Sequence, residues 1–230
     1  SKEIPKPNAI LCISAHWFTN GTFVTAMDMP KTIHDFYGFP KELFEVEYPA
    51  PGSPELARET ATLLLPEIVE EDHNWGLDHG AWSVIRHLYP DAEIPVIQLS
   101  IDYTKPSQYH FDLAKKLQKL REKGILIIGS GNIVHNLRMV DWKNINTVGA
   151  GWDWAIEARE KTNNWLLDGN FQNLIDYQKH GVALQTAVPT PDHYLPLIYS
   201  LGLKEKSDSL SLFNDELIGG SLSMTSVRIG

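Results

Sequence analysis

The chain has 230 residues, 43% of them hydrophobic, and carries a formal net charge of -9 at pH 7. That length and composition suffice for one α/β domain with a sizeable core. The acidic balance argues against a phosphate-binding surface, because nucleic-acid recognition draws most of its affinity from clustered lysine and arginine. No basic run suggests an anionic membrane, and no stretch approaches the roughly 20 apolar residues that span a bilayer. We therefore expect neither a nucleic-acid nor a membrane partner.

The first predicted elements are a buried strand and a helix with a capping serine. The apolar run 9–14 is short and does not alternate, which favours a strand buried on both faces, with His16 at its carboxyl end. Ser53 precedes Pro54 and Glu55, the order expected of an N-cap, a first-turn proline and an acid near the positive end of the helix dipole.

The centre of the chain predicts a helix over 80–88, a strand over 95–100 and a further strand over 125–128. Between these strands lies an amphipathic helix that Gly124 would end, marked by Tyr109, Leu113, Leu117 and Leu120. A crossover of this kind is expected to be right-handed.

The last third of the chain is predicted to be mostly helical, over 152–167 and again over 191–201. The segment 221–228 alternates polar and apolar residues with period two, as a half-buried strand does. Neither an internal repeat nor a Gly/Ser-rich linker interrupts the sequence, which favours a single domain over residues 1–230.

Cys12 is the one cysteine of the sequence, so it has no partner for an intrachain disulfide. Its position inside an apolar run favours a buried structural thiol over a reactive one. A reducing compartment fits such a chain, and we expect a cytoplasmic protein.

Three histidines lie where a predicted strand stops or a helix starts: His16, His135 and His193. Ligands collect at the carboxyl ends of strands in open α/β sheets, so imidazoles delivered there by separate strands can meet around one ion. Each histidine by itself is more often structural than functional. The three together predict a metal site, in which His135 is either a ligand or a proton-transfer group.

The type of ligand narrows the choice of metal. Imidazoles without thiolates suit iron, zinc, copper or nickel, and the lack of a carboxylate cluster disfavours calcium and magnesium. His34 and His79 are the next candidates, since each has a neighbouring aspartate that could orient its ring. The other four histidines are interpreted as surface or packing residues: His73, His87, His110 and His180.

Nine short motifs follow one another from Ser14 towards the C-terminus, at 14–17, 32–35, 48–54, 77–80, 89–95, 98–100, 129–138, 189–196 and 220–224. In sequence and order they resemble the class III extradiol ring-cleaving dioxygenases, in the 4,5-DOPA dioxygenase extradiol branch. The resemblance covers nearly the whole chain, and its motifs are specific. It implies a three-layer α/β/α fold with a mixed central sheet.

The same resemblance implies a function and a site. Members of this family open the ring of a catechol such as DOPA with O2 at a mononuclear non-haem Fe(II) centre, and Zn(II) can occupy the site in purified protein. Carried over by motif, His16 and His193 would be metal ligands and His135 a ligand or the catalytic acid/base group. His34 and His79 would then position the substrate.

One departure from the family pattern concerns the N-terminus. Family members carry a further metal-binding histidine in a His-Gly-x-Pro motif upstream of the first motif found here. We expect either that an N-terminal segment precedes this sequence or that the ligand has been lost, and the start at Ser1 favours the first.

Two rival functions are weighed against ring cleavage. A zinc-dependent hydrolase is disfavoured because the sequence lacks a His-Glu-x-x-His motif. A non-enzymatic binding protein like the Memo proteins, which resemble this fold, is disfavoured because His16, His135 and His193 are all retained.

Overall fold

The computed structural model describes residues 4–230, so Ser1, on which the expectation of an upstream segment rests, lies outside the described residues. The central sheet consists of β1 (Ala9–Thr19), β2 (Thr22–Thr25), β3 (Val69–Asp72), β4 (Val96–Asp102) and β5 (Ile125–Ser130), in the order β3-β2-β4-β1-β5. Strand β1 is parallel to both β4 and β5, whereas β2 is antiparallel to β4. The sheet is therefore mixed, as the resemblance implied.

Helices cover both faces of this sheet: α1 (Lys41–Phe44), α2 (Pro54–Leu64), α3 (His79–Leu88), α4 (Ser107–Lys115), α5 (Gln118–Glu122), α6 (Asp153–Leu167), α7 (Phe171–Ile175), α8 (Val182–Ala187) and α9 (Leu195–Gly202). Two small antiparallel sheets follow, one pairing β6 (Leu210–Phe213) with β9 (Ser226–Ile229) and one pairing β7 (Leu217–Ile218) with β8 (Leu222–Ser223). Within residues 4–230 no helix is both long and apolar enough to cross a bilayer.

Strand β1 contributes to two hydrophobic cores because successive side chains of a strand point to opposite faces. Leu11 and Ile13 pack in the core on one face, and Ile10 and Cys12 pack in the core that α3 covers on the other. Residues 9–15 are all buried, which confirms the prediction of a strand buried on both faces, and Cys12 is a free, buried thiol. The three-layer α/β/α architecture is thereby confirmed.

Local signals located several helices correctly. Ser53 caps α2 by accepting a hydrogen bond from the backbone N–H of Leu56 at 3.2 Å, as its position before Pro54 predicted. The amphipathic stretch 109–120 forms two helices rather than one, since α4 ends at Lys115 and α5 begins at Gln118. Gly124 follows them with a φ of +73°, as its role as a helix terminator required.

Two predictions about strands were wrong. His16 does not lie at the carboxyl end of a strand, because β1 continues to Thr19 after its register with β4 shifts between Ile13 and Phe18. The alternating segment 221–228 is not one strand, because its two ends pair with different partners: β8 with β7, and β9 with β6. Alternation indicates a half-buried strand but not its partner, so it could not reveal this division.

Candidate active site

Four imidazole rings gather at one place beside the sheet. The ring centroids of His16 and His79 are 3.9 Å apart, those of His16 and His193 are 5.1 Å apart, and those of His135 and His193 are 3.6 Å apart. These rings come from β1, from the first residue of α3, from the loop after β5 and from the loop before α9. The structure thus brings His79 together with the three histidines predicted from the sequence to form a metal site.

The start of α3 is held against the sheet by the buried carboxylate of Asp78. Its Oδ1 accepts hydrogen bonds from the Ala81 N–H at 3.0 Å and the Ser14 hydroxyl at 2.7 Å, and its Oδ2 accepts one from the Gln98 amide at 2.7 Å. A carboxyl side chain at the N-cap accepts hydrogen bonds from the first free N–H groups of the helix. Asp78 therefore fixes where α3 begins relative to β1 and β4, and with it the position of His79.

A glycine allows α3 to approach β1 this closely. A Cβ at Gly80 would collide with the Ser14 hydroxyl and lie 2.9 Å from Cδ2 of His16. A residue without a side chain is thus needed where the first turn of α3 passes over the strand.

The loop that carries His135 is fixed by hydrogen bonds to three later segments. Its backbone N–H donates to the Ala187 carbonyl at 2.9 Å, and the next residue, Asn136, donates from its side chain to the Thr186 carbonyl at 2.8 Å. Earlier in the loop, the Asn132 N–H donates to the carbonyl of His193 at 2.9 Å. The C-terminal motif also takes part, since the Ser223 carbonyl accepts a hydrogen bond from the Asn132 side chain at 2.8 Å.

The loop before α9 reaches this position because residue 131 has no side chain. A Cβ at Gly131 would collide with the carbonyl oxygen of His193. Glycine is therefore needed in the turn after β5 because another backbone segment approaches it closely.

Asp35 joins two of the four imidazoles. Its Oδ1 accepts hydrogen bonds at 2.9 Å from both the backbone N–H and Nδ1 of His79, and its Oδ2 lies 3.4 Å from Nδ1 of His16. Burial acts to raise the pKa of Asp35, but the hydrogen bonds from His79 outweigh it and hold that pKa below its usual value. The carboxylate is therefore ionised and can only accept, so Nδ1 of His79 carries the proton.

A second carboxylate, that of Asp192, contacts the ring of His193 on its Nδ1 side. Nδ1 of His193 makes a very short hydrogen bond to Oδ2 of its neighbour Asp192. Burial acts to raise the pKa of Asp192, but this hydrogen bond and one from Thr190 outweigh it and lower the pKa to about 2. Each ring that has a carboxylate on its Nδ1 side has Nε2 left to bind a metal, which is the usual arrangement behind metal-ligating histidines.

The crowding of the imidazoles disfavours their protonated forms. Burial, and then the nearby His193, lower the pKa of His135 to about 4. Burial, followed by His79 and His193, also lowers the pKa of His16. Metal binding requires neutral imidazoles, so the fold prepares both rings for that role at neutral pH.

The cluster fits a divalent transition metal by its donor types. His16, Asp35 and His79 offer ligand atoms that all lie within 4.8 Å of one another. Asp35 in that group already accepts hydrogen bonds from the backbone and the ring of His79. A carboxylate in this position is better suited to orienting the ligands than to binding the metal directly.

The two histidines predicted to bind substrate lie in different surroundings. His79 belongs to the cluster, whereas Nε2 of His34 lies 2.8 Å from the carbonyl oxygen of Val46 and its ring packs against Phe36, Phe44 and Trp82. The aspartate that orients His79 is Asp35, the chain neighbour of His34, and not Asp78 beside it.

Sequence reasoning missed the roles of the two carboxylates. Asp192 could have been found, because it directly precedes a candidate ligand. Asp35 lies 44 positions from His79, and only the fold reveals their contact.

The family model described as the catalytic LigB subunit of aromatic ring-opening dioxygenase matches residues 2–222 of this chain. A protein of Escherichia coli K12 named 4,5-DOPA dioxygenase extradiol is 47% identical over 232 residues, which cover 99% of this chain and 84% of that protein. A protein of the same name from Beta vulgaris is 36% identical over 226 residues, covering 97% of this chain and 83% of its own length.

A solved structure also resembles the fold. The crystal structure of an uncharacterized protein from Escherichia coli K12 superposes with a TM-score of 0.85 at 40% sequence identity, covering 100% of this chain and 88% of that one. The likeness in fold therefore extends over the whole chain.

Proposed function

We propose that this chain, which belongs to the LigB family of aromatic ring-opening dioxygenases and is an extradiol dioxygenase, uses a divalent metal to open the ring of a catechol such as DOPA. Family membership favours this function over the zinc-dependent hydrolase and the non-enzymatic binding protein. The substrate class is supported by the names of the relatives, four of which are called 4,5-DOPA dioxygenase extradiol.

The observation that carries the metal proposal is the pairing of imidazoles with carboxylates. His16, His193 and His79 each turn Nδ1 towards an aspartate, so Nε2 is the nitrogen available to an ion. We assign His16 and His193 as ligands, with His135 beside them as a third ligand or as the acid/base group. Fe(II) is the proposed active metal and Zn(II) an alternative occupant, since imidazole suits both.

When bound, the metal would lower the pKa of the catechol hydroxyls and hold the ring beside O2. The protein supplies the proton transfer. His135 is neutral at physiological pH because its pKa is about 4, so it can accept a proton from a catechol hydroxyl. Burial, and then the neighbouring His193, disfavour the charged ring and promote return of the proton to the product.

The overall reaction balances without another reductant. Both atoms of O2 enter the product, and the ring carbon–carbon bond next to a hydroxyl-bearing carbon breaks. His79 is proposed to position the substrate, with its ring fixed by Asp35. His34 is proposed to act on the substrate indirectly, through its packing against Phe36 and Trp82.

The remaining expectations about cell biology stay predictions. They are a cytoplasmic location, a small-molecule catechol and O2 as the reactants, and the absence of nucleic-acid and membrane partners. The acidic net charge of -9 supports the last of these.

Anaerobic reconstitution with Fe(II), followed by L-DOPA and air, tests the function. We expect O2 uptake and a yellow ring-opened product that absorbs in the visible. Metal binding without O2 uptake across a panel of catechols would refute the proposal. His73→Ala is the matched control for histidine substitutions, since the side chain of His73 is 61% exposed and lies outside the cluster.

The two roles left open for His135 can be separated with His135→Gln. If His135 is a ligand, the variant loses bound metal. If it is the acid/base group, the variant keeps its metal, loses most of its turnover and shows a changed dependence of rate on pH.

A further inference from the structure

A cavity of about 230 Å³ opens beside His79, between α3 and the segment 36–43. Its walls are mainly apolar and aromatic, and its lining residues are Phe36, Phe39, Leu43, His79, Trp82, Ser83, Arg86 and His87. The volume is below the roughly 300–1,000 Å³ of pockets that hold drug-sized ligands. The cavity therefore suits a short substituent better than a second ring system.

The cavity adjoins the proposed catalytic centre at His79. His79 belongs to the cluster and to the cavity wall, and the ring of Phe36 meets it edge-on at a centroid distance of 5.3 Å. Trp82 forms another part of the wall and is fixed by a hydrogen bond from its indole N–H to the Ile33 carbonyl at 2.9 Å. A catechol held at the cluster next to His79 would direct one of its substituents into this space.

The charged groups of the cavity are of one sign. Arg86 contributes a guanidinium to the lining, and none of the lining residues is acidic. Arg86 and His87 stand in the last turn of α3, where the helix dipole favours a cation. That dipole does not satisfy the donors of the guanidinium, and within residues 4–230 no hydrogen bond or ion pair joins Arg86 to an acidic side chain.

We propose that this cavity is the substituent subsite of the enzyme, in which Arg86 pairs with a carboxylate at the end of the substrate's side chain. The inference rests on the proposed function, because it assumes that a catechol ring occupies the cluster. Arginine binds carboxylates with two parallel hydrogen bonds, and the apolar walls strengthen them by excluding water.

The proposal predicts the order in which the enzyme prefers its substrates. A dihydroxyphenylpropanoate satisfies Arg86 and brings no second charge. DOPA brings the same carboxylate together with an ammonium that finds no acid in the lining, and dopamine brings only the ammonium. The preference is therefore dihydroxyphenylpropanoate over DOPA, and DOPA over dopamine.

The test measures binding without turnover, under anaerobic conditions, on the protein as purified. Calorimetry would compare 3-(3,4-dihydroxyphenyl)propanoate, dopamine and 4-methylcatechol, which are anionic, cationic and neutral at the substituent. We expect the anionic ligand to bind tightest and dopamine weakest. Equal binding of dopamine and the propanoate would overturn the proposal, and this comparison needs no variant.

Arg86→Gln then identifies the residue responsible. We expect it to weaken binding of the propanoate by about 10- to 100-fold, the usual worth of a charged hydrogen bond, while leaving 4-methylcatechol unchanged. Arg86→Lys should restore part of the loss. Arg58→Gln makes the same substitution at an exposed residue of α2 and should change neither ligand. An equal loss for both ligands in Arg86→Gln, or no loss for either, would overturn the assignment.

The two proposals fail in different ways. If ring opening is absent but binding depends on the charge of the substituent and on Arg86, the catalytic proposal fails and the subsite stands. If ring opening is present but insensitive to Arg86, the subsite proposal fails. With both correct, Arg86→Gln raises KM for the propanoate and largely preserves kcat.

Discussion

The imidazole rings of His135 and His193 stack in parallel, with centroids 3.6 Å apart and 6° between their planes. Two rings in this arrangement cannot both carry a positive charge at low cost, and a bound cation would take the place of their protons. Burial lowers the pKa of His135 most, and this contact with His193 lowers it further, to about 4.

Removing His193 should abolish tight metal binding. We expect His193→Ala to lower the affinity for Fe(II) or Zn(II) by at least ~100-fold. Loss of a residue that only hydrogen-bonds to a metal ligand lowers metal affinity by ~10- to 100-fold, and loss of the ligand itself should have a larger effect. Metal content after dialysis and competition with a chelator measure this. His73→Ala should bind metal like the unmodified protein, and equal metal content in the two variants would contradict the assignment.

Asp35→Asn should weaken metal binding while leaving the fold intact. An amide cannot accept the proton-bearing Nδ1 of His79 as strongly as a carboxylate, so the rings of His79 and His16 lose their orientation. A decrease in metal affinity of ~10- to 100-fold is expected. Asp168→Asn, at an exposed position after α6, supplies the matched control. If Asp35 instead binds the metal directly, the loss will be as large as that of His16→Ala.

Gly131→Ala should disturb the site through the backbone of His193. The added methyl group collides with the His193 carbonyl, and relief of such overpacking costs roughly 1–3 kcal/mol in the free energy of unfolding. Gly169→Ala is the control, since its Cβ meets nothing within 4 Å and its φ of +69° alone costs about 1–2 kcal/mol. Urea unfolding should therefore detect both variants, but only Gly131→Ala should also lower metal affinity.

His110 should make the stability of the protein depend on pH. This ring is fully buried, bonds to the Tyr199 hydroxyl at 3.0 Å, and has its pKa lowered by burial to about 4, although the nearby Asp102 acts to raise it. Between pH 4 and about 6.5 the unfolded chain binds a proton that the folded chain does not. The contribution of His110 is therefore present above pH 6.5 and falls as the pH drops towards 4.

The full change amounts to about 3 kcal/mol in the free energy of unfolding. Urea titrations from pH 4.5 to 7.5 give the free energy of unfolding at each pH for the unmodified protein and for His110→Gln. The contribution of His110 is the difference between the two proteins in the slope of this free energy against pH. His180→Gln makes the same substitution at a half-buried ring packed against Trp165 and serves as the comparison. A His110→Gln protein with an unchanged slope would show that the buried ring does not titrate.

Much of the fold could be predicted because its signals are local. The run 9–14 is apolar without alternation, so it had to lie between two layers, and Ser53 before a proline and an acid had to start a helix. The segment 221–228 could not be divided correctly, because its two halves pair with β6 and β7, whose positions depend on the rest of the chain.

The sequence by itself determined which imidazoles were available and that His135 and His193 would lie near the end of a strand or the start of a helix, because such signals come from neighbouring residues. Only the tertiary structure decided which nitrogen of each ring is free. Asp35 contacts His16 and His79 across 19 and 44 positions of sequence, and no local pattern encodes a contact made by folding the sheet and α3 together.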